Sequence, residues 1–277
     1  ATHTVRYSFF SESGLIAVGV EDECAWTPPV SLAAQIPNAT SGWGAILCDT
    51  YVNGNLVSTN TCAFQLTVPA SVVPSISNVE FSEATSGIAD RFGGYVRTRS
   101  KLSVGVTAAG AQSSSISAYR TSIDGVTYSG SSFTTNALNT AGNLTMTVTV
   151  TDSRGRTAST TRTVTVLDYS PPSLSQFTAE RCNADGTAAQ TDGTKVRISA
   201  KASGSSVGGK NTLACTVYYK LSSAESWVSA VTLTPSNYAI SETNRLLSPA
   251  FDALSSYDIK IRVQDVFYYI EQTVSIG

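Results

Sequence analysis

The chain has 277 residues, of which only 14% are charged, and its 18 basic and 20 acidic side chains give a formal net charge of −2. Globular domains typically carry about 25% charged residues, and nucleic-acid binders show a strong basic excess. The composition therefore gives no electrostatic case for binding nucleic acid, and no apolar run reaches the ~18 residues of a membrane-spanning helix. The single histidine, His3, lies near the N-terminus, which argues against a histidine-based catalytic or metal site.

Helix is indicated only at residues 31–37 (SLAAQIP), where Ser31 is a suitable cap for one turn and Pro37 ends it. The other elements show alternation with period two, which places apolar side chains on one face and polar side chains on the other. That pattern is typical of an antiparallel sheet packed on a second sheet. The clearest strands are residues 62–68, 101–106, 144–150, 195–202, 213–219 and 258–265.

Two proline-bounded junctions divide the chain, at residues 69–75 and 168–173. Because proline fixes φ and keeps its predecessor extended, both segments are expected to be short, semi-rigid linkers. Strands at close spacing in units of ~100 residues are typical of immunoglobulin-like or fibronectin-like β-sandwiches. The sequence therefore predicts an all-β extended rod of tandem sandwich domains. These are a small sandwich-like domain at 1–72, an immunoglobulin-like domain at 73–170 and an immunoglobulin- or fibronectin-III-like domain at 171–277.

The second and third predicted domains share two phrases. Each opens with Pro-Ser-apolar-Ser, at residues 74–77 and 172–175. Near its end, each has a strand that closes with Val-x-Asp, at residues 150–152 and 263–265. We interpret the two domains as a repeated module.

Four long phrases resemble an uncharacterised family of structural proteins from long-tailed phages and Gram-positive prophages, whose members carry strings of immunoglobulin-like modules. The phrases are residues 26–51, 71–119, 148–166 and 177–203. The resemblance covers most of the chain and is strongest over residues 69–203. The sequence departs from the family pattern at residues 265–269, where three consecutive aromatic residues stand in place of a small residue and a glycine turn.

The resemblance implies a non-enzymatic structural component of a virion, in the tail or tail tip, that is assembled in the bacterial host cytoplasm. The implied partners are other virion and tail proteins. Outer strand faces rich in Thr and Ser, with little charge to discourage strand association, also favour a homo-oligomer. Two alternatives stay open, namely an adhesin-type module that binds host cell-surface carbohydrate and an accessory domain of an enzyme.

A contact surface is predicted at two places. Phe267, Tyr268 and Tyr269 form an aromatic patch suited to stacking on a sugar or a neighbouring subunit, with core closure as the alternative reading. Arg154 and Arg156 lie in a predicted hairpin turn, which is either an interaction loop with two exposed guanidinium groups or a turn with no further role.

No catalytic residue, cofactor or metal site is predicted. The chain lacks a G-x-S-x-G nucleophile elbow, and His3 is too near the chain end to be a convincing base. The loop with Asn183, Asp185 and Asp192 is the better of the candidate calcium sites, but Ca²⁺ needs six to eight converging oxygens.

Five cysteines are present and none shows C-x-x-C spacing. Cys62 and Cys215 alternate with apolar residues, so both are predicted to be buried free thiols, as suits a reducing cytoplasm. The alternative is a disulfide within the first domain. The sequence also predicts core or lid positions for all three tryptophans, Trp26, Trp43 and Trp227.

Overall fold

The computed structural model describes residues 1–277. Nineteen strands make up almost all of its regular structure, which confirms the all-β prediction. Helix is limited to a 3₁₀ turn at Val30–Gln35 and to α1 at Ile88–Phe92, and neither has the length to cross a membrane. The 3₁₀ turn lies where the sequence indicates one, but Pro29 occupies its cap position and no side chain caps it.

The chain folds as two compact units, and each is described by itself. Unit 1 comprises Ala1–Ala84, Leu102–Asn136 and Leu144–Val164. Unit 2 comprises Thr85–Lys101, Ala137–Asn143 and Thr165–Gly277. The boundaries of the three domains inferred from the sequence stay a prediction.

Unit 1 begins with a four-stranded antiparallel sheet, which we call the N-terminal sheet, in the order β2-β1-β3-β4. Its small core lies on one face, where Phe9 and Leu66 pack against Leu32 and Ile36 of the 3₁₀ turn segment. The ring of Trp26 stacks on Tyr7 and completes this cover. The strands are β1 (Thr2–Phe9), β2 (Glu12–Val20), β3 (Ser41–Val52) and β4 (Asn55–Thr67).

The remainder of unit 1 is a pair of sheets. One has the order β10-β7-β5, and the other has the order β12-β11-β8-β9. The end of β12 continues into unit 2, where Val166 and Leu167 pair with the short parallel strand β6 (Tyr95–Val96). The strands of the pair are β5 (Ser75–Glu83), β7 (Leu102–Ala109), β8 (Ile116–Ile123), β9 (Val126–Ser129), β10 (Ser132–Thr134), β11 (Gly142–Asp152) and β12 (Thr157–Leu167).

Unit 2 contains a sandwich of a three-stranded sheet, β13-β14-β17, and a four-stranded sheet, β16-β15-β18-β19. One continuous apolar core takes residues from both sheets, including Ile198 and Ala200 from one and Ile259 and Ile261 from the other. The strands are β13 (Ser173–Cys182), β14 (Lys195–Ser203), β15 (Ala214–Leu221), β16 (Val228–Leu233), β17 (Ala239–Leu246), β18 (Tyr257–Gln264) and β19 (Tyr269–Ile276).

The two sheet pairs have the same topology. In each, the fifth, second and first strands form one sheet, and the fourth, third, sixth and seventh form the other. The repeated Pro-Ser-apolar-Ser phrase has a structural explanation. Its second serine lies at a break in register in the first strand of each sheet pair, β5 and β13. The hydroxyl of Ser77 donates to the carbonyl of Thr107, and that of Ser175 donates to the carbonyl of Lys201.

The predicted apolar faces are buried. In the predicted strands at residues 195–202 and 258–265 every apolar residue of the alternating series is buried, while Leu144 at the start of the strand at 144–150 is only half-buried. The alternation therefore identifies correctly which face of each strand meets the core. The confirmed buried residues are Leu102, Val104, Val106, Met146, Val148, Val150, Val196, Ile198, Ala200, Ala202, Ile259, Ile261 and Val263.

The cysteine prediction is confirmed for Cys215 and wrong for Cys62. All five thiols are free in the structure, and Cys215 is buried, whereas Cys62 is exposed. Cys62 lies on the same face of the N-terminal sheet as Phe64, but the core on this face extends only as far as Phe64 and Tyr7. Apolar alternation finds the face of a strand and not the length over which that face is covered.

We expect thiol reactivity to follow this burial. Burial raises the pKa of Cys215 to about 12 and also raises that of Cys182, so both are scarcely ionised at neutral pH. A thiol reagent should label Cys24 and Cys62 rapidly in the native protein and leave Cys182 and Cys215 unlabelled. After unfolding without reductant all five should react. Rapid native labelling of Cys215, identified by mass spectrometry, would contradict the structure.

Candidate functional site

The turn between β18 and β19 is built around a buried carboxylate. Asp265 is 4% exposed, and its Oδ1 accepts the backbone N–H groups of Phe267 and Tyr268, each at 2.7 Å. The N–H of Asp265 in turn donates to the carbonyl of Tyr268 at 2.8 Å. Because a carboxylate bonded to two amides restrains both of them, the three aromatic residues are presented from a fixed backbone.

Phe267 points into unit 2. Its ring stacks on Phe92 at a centroid distance of 5.1 Å and meets the edge of Tyr169 at 4.9 Å. The guanidinium of Arg99 lies over both Tyr169 and Phe267, at 5.0 and 5.2 Å from the ring centroids. Burial raises the pKa of Tyr169, so that side chain stays neutral. Phe267 is therefore an anchor for the turn, which is the core-closure reading of this residue.

Tyr268 and Tyr269 remain at the surface, 55% and 50% exposed. Their rings lie at an interplanar angle of 24° with centroids 6.3 Å apart, and the guanidinium carbon of Arg262 lies 4.0 Å from the Tyr269 centroid. Two nearly parallel rings beside a cation offer an apolar stacking surface with a hydrogen-bond donor at its border.

The outer face of β15 and β18 continues this chemistry. The ammonium of Lys260 lies 4.5 Å from the Trp227 ring centroid and 5.5 Å from that of Tyr218. Glu271 lies 3.4 Å from Lys260 and 3.8 Å from Arg262, so the cations are shared between rings and a carboxylate. Sequence reasoning missed this face. Alternation in β18 turns Lys260 and Arg262 outward, but their aromatic partners come from β15, β19 and the segment before β16.

Arg154 corrects the reading of two exposed guanidinium groups. It is 7% exposed and donates four hydrogen bonds to backbone carbonyls, which are those of Ala33, Ile36, Ala111 and Gln112, at 2.6 to 3.1 Å. Burial lowers its pKa, but arginine stays protonated at any physiological pH. A pattern of turn residues indicates the hairpin and cannot indicate which distant carbonyls its arginine will reach.

Arg156, in the same turn, is half-buried and is also engaged within unit 1. Its guanidinium donates to the carbonyls of Val68, Pro69 and Val72 at 2.6 to 2.7 Å. Together with Arg154 it binds the β11–β12 turn to the segment around the first proline-bounded junction. Asp152, which is buried, accepts the N–H groups of both arginines and so fixes the turn.

The five residues predicted as a contact surface thus belong to two groups. Phe267, Tyr268 and Tyr269 lie in unit 2, and Arg154 and Arg156 lie in unit 1. Their assignment as a contact surface stays a prediction, with Tyr268 and Tyr269 as its accessible members.

The candidate calcium loop is engaged within itself. Oδ1 of Asp185 accepts the N–H and the hydroxyl of Thr187, at 2.9 and 2.7 Å, and the amide of Asn183 donates to the same hydroxyl. These bonds lower the pKa of Asp185 and form an Asx turn. No group of three or more His, Cys, Asp or Glu side chains converges in the structure.

Replacing Arg154 should destabilise unit 1. We expect Arg154→Ala to lower the free energy of unfolding by about 3 kcal/mol, because several buried carbonyls lose a charged donor at once. The matched control is Arg162→Ala, since Arg162 is exposed and bonds only the neighbouring carbonyl of Thr161. Urea unfolding followed by fluorescence measures both variants. Equal midpoints for Arg154→Ala and Arg162→Ala would show that the buried guanidinium contributes nothing.

Comparisons with known proteins identify a family and several solved structures to which this chain is similar. A family model described as "Siphovirus protein of unknown function (DUF859)" matches residues 1–277. No curated protein matches the chain. Among solved structures, a Ca²⁺-stabilised adhesin with which an Antarctic bacterium binds ice is 13% identical, with a TM-score of 0.39, and the match covers 100% of this chain and 64% of that one. Three N-terminal domains of the outer capsid protein Hoc of bacteriophage RB49 are 11% identical, with a TM-score of 0.32 and coverage of 100% and 86%. The family match over its full length shows that this chain belongs to the DUF859 family of siphovirus proteins.

Proposed function

We propose that the chain is a non-enzymatic structural component of a siphovirus virion, placed in the tail or tail tip and assembled in the bacterial host cytoplasm. The observation that carries this proposal is membership of a siphovirus family over residues 1–277. Its partners are other virion and tail proteins, including further copies of itself.

The internal chemistry supports a mechanical role. Two sheet pairs of identical topology follow one another along the chain, and their buried charged groups bind backbone. Arg154 holds loop carbonyls in unit 1, and Asp265 holds turn amides in unit 2. Such groups stiffen connections between strands, which suits placement rather than turnover. We propose that the domains at 1–72, 73–170 and 171–277 are arranged as an extended rod.

Labelling of intact particles tests this role. Antibodies against the protein, detected with immunogold, should decorate one end of the tail at a fixed position. Particles that lack the protein should show incomplete tails or weakened host adsorption. Normal assembly together with undiminished adsorption would contradict the proposal, as would a hydrolase or transferase activity that a single substitution abolishes.

A second candidate function is an adhesin-type contact with host cell-surface carbohydrate. The observation that favours it is the exposed pair Tyr268 and Tyr269 beside Arg262, held by the buried Asp265. Aromatic rings stack on the apolar face of a sugar ring, and arginine supplies donors to its hydroxyl groups. A rigid backbone lowers the entropy lost on binding.

Removing the two exposed rings should separate this function from a purely structural one. We expect Tyr268→Ala with Tyr269→Ala to weaken retention on isolated host cell walls by roughly tenfold, which is the loss of about 1.4 kcal/mol. Tyr119→Ala, a half-buried tyrosine on β8, is the matched control and should bind as the unaltered protein does. Equal retention of all three proteins would exclude a carbohydrate contact at this turn.

A further inference from the structure

The outer strand of the N-terminal sheet is an unprotected edge. β4 (Asn55–Thr67) has 13 residues and pairs only with β3, whereas strands usually have about 5–6 residues. Its sequence, NLVSTNTCAFQLT, contains no charged residue, proline or glycine, and all but two of its side chains are exposed. Natural proteins usually protect an edge with charge, proline, a bulge or a short strand. β4 has no charge or proline and is long, and its one bulge, at Val57, lies near its N-terminal end.

The geometry of β4 is regular over Ser58–Thr67, on the C-terminal side of the bulge at Val57. Its pairing with β3 runs without a break from Ser41 opposite Thr67 to Thr50 opposite Ser58. A flat, regular edge presents its free N–H and C=O groups in a straight row, and this is the arrangement that another strand needs for pairing.

The opposite edge is less regular and carries a charge. β2 begins at Glu12, contains Gly19 with a positive φ of 70°, and shows two register irregularities against β1. Bulges and charge hinder the addition of a strand. The sheet therefore has one guarded edge and one open edge.

Charge near β4 is neutralised within the sheet. Asp49, the only charged residue of β3, accepts the hydroxyl of Thr59 at 2.6 Å and pairs with Arg6 of β1. These interactions, that with Thr59 first, lower the pKa of Asp49. An incoming strand consequently meets neither a free charge on β4 nor an unpaired one on β3.

We propose that β4 is the interface with a second copy of this chain, in which the two β4 strands pair antiparallel about a two-fold axis. The inference rests on the proposed function only in that copies associate in a virion. A two-fold pairing sets β4 against its own reversed sequence, and an uncharged strand opposes no like charges in that arrangement. Pairing of β4 with the partner's β2 would instead meet Glu12 and the bulges of that strand.

The register places the two-fold axis within the regular part of β4, Ser58–Thr67. Thr61 is the middle residue of β4, so it lies opposite Thr61 of the partner subunit. Threonine pairs across strands are favourable.

Sedimentation velocity on the full chain tests this interface. The unaltered protein should show a concentration-dependent dimer at micromolar concentration. Thr61→Lys and Thr61→Glu should each weaken dimerisation roughly tenfold or more, because like charges then face each other at the axis. An equimolar mixture of the two variants should regain the dimer. Thr163→Lys, at an exposed position of β12, adds the same charge elsewhere and should dimerise normally.

Each outcome bears on the interface alone. A monomeric unaltered protein, or Thr61 variants that dimerise normally, would overturn the proposal. A mixture that stays monomeric while both variants show native circular dichroism would overturn the two-fold register. Because immunogold labelling of particles is independent of these measurements, failure of the interface and failure of the virion role are distinguishable.

Discussion

The buried guanidinium of Arg154 is the interaction on which unit 1 depends. It joins carbonyls of the 3₁₀ turn segment, Ala33 and Ile36, to carbonyls of the β7–β8 loop, Ala111 and Gln112. Burying this charge is costly, and only donation to several carbonyls at once offsets the lost hydration. Three of these carbonyls, those of Ala33, Ile36 and Ala111, also accept a local backbone N–H, so the guanidinium adds a second, charged donor to them. The small core of the N-terminal sheet is held where its few apolar residues alone would give weak support.

The same turn serves an equivalent purpose in unit 2. Asp152 is the last residue of the sixth strand of its sheet pair and Asp265 directly follows the sixth strand of the other, and both accept two backbone amides of the turn. In unit 1 the turn delivers Arg154, whereas in unit 2 it delivers Phe267 to Phe92 and Tyr169. The two turns share the capped backbone and differ in the side chain that they present, which is polar in one and aromatic in the other.

The difference between local patterns and distant contacts explains how much of the structure could be predicted from the sequence. Alternation and repeated phrases depend only on residues that are close in sequence. The buried faces of β14 and β18 and the repeated module could therefore be predicted. The burial of Arg154 depends on carbonyls more than a hundred residues away, which no local pattern contains. Whether a strand face is buried also depends on residues that are distant in sequence. Trp43, predicted as core or lid, is 64% exposed and is not among the residues that pack on the core of the N-terminal sheet. The cation–aromatic face around Lys260 was missed for the same reason.

Low charge has different consequences in different sheets of this chain. On the outer face of β18, Lys260 and Arg262 lie over aromatic rings and share Glu271, which belongs to the edge strand β19. Charge on an edge strand discourages the addition of another strand. In the N-terminal sheet the only carboxylate of β3, that of Asp49, interacts with Arg6 and Thr59, and β4 carries no charge. A composition poor in charge does not by itself make a sheet associate. What matters is whether the few charges stand beside an open edge, and in the N-terminal sheet they do not.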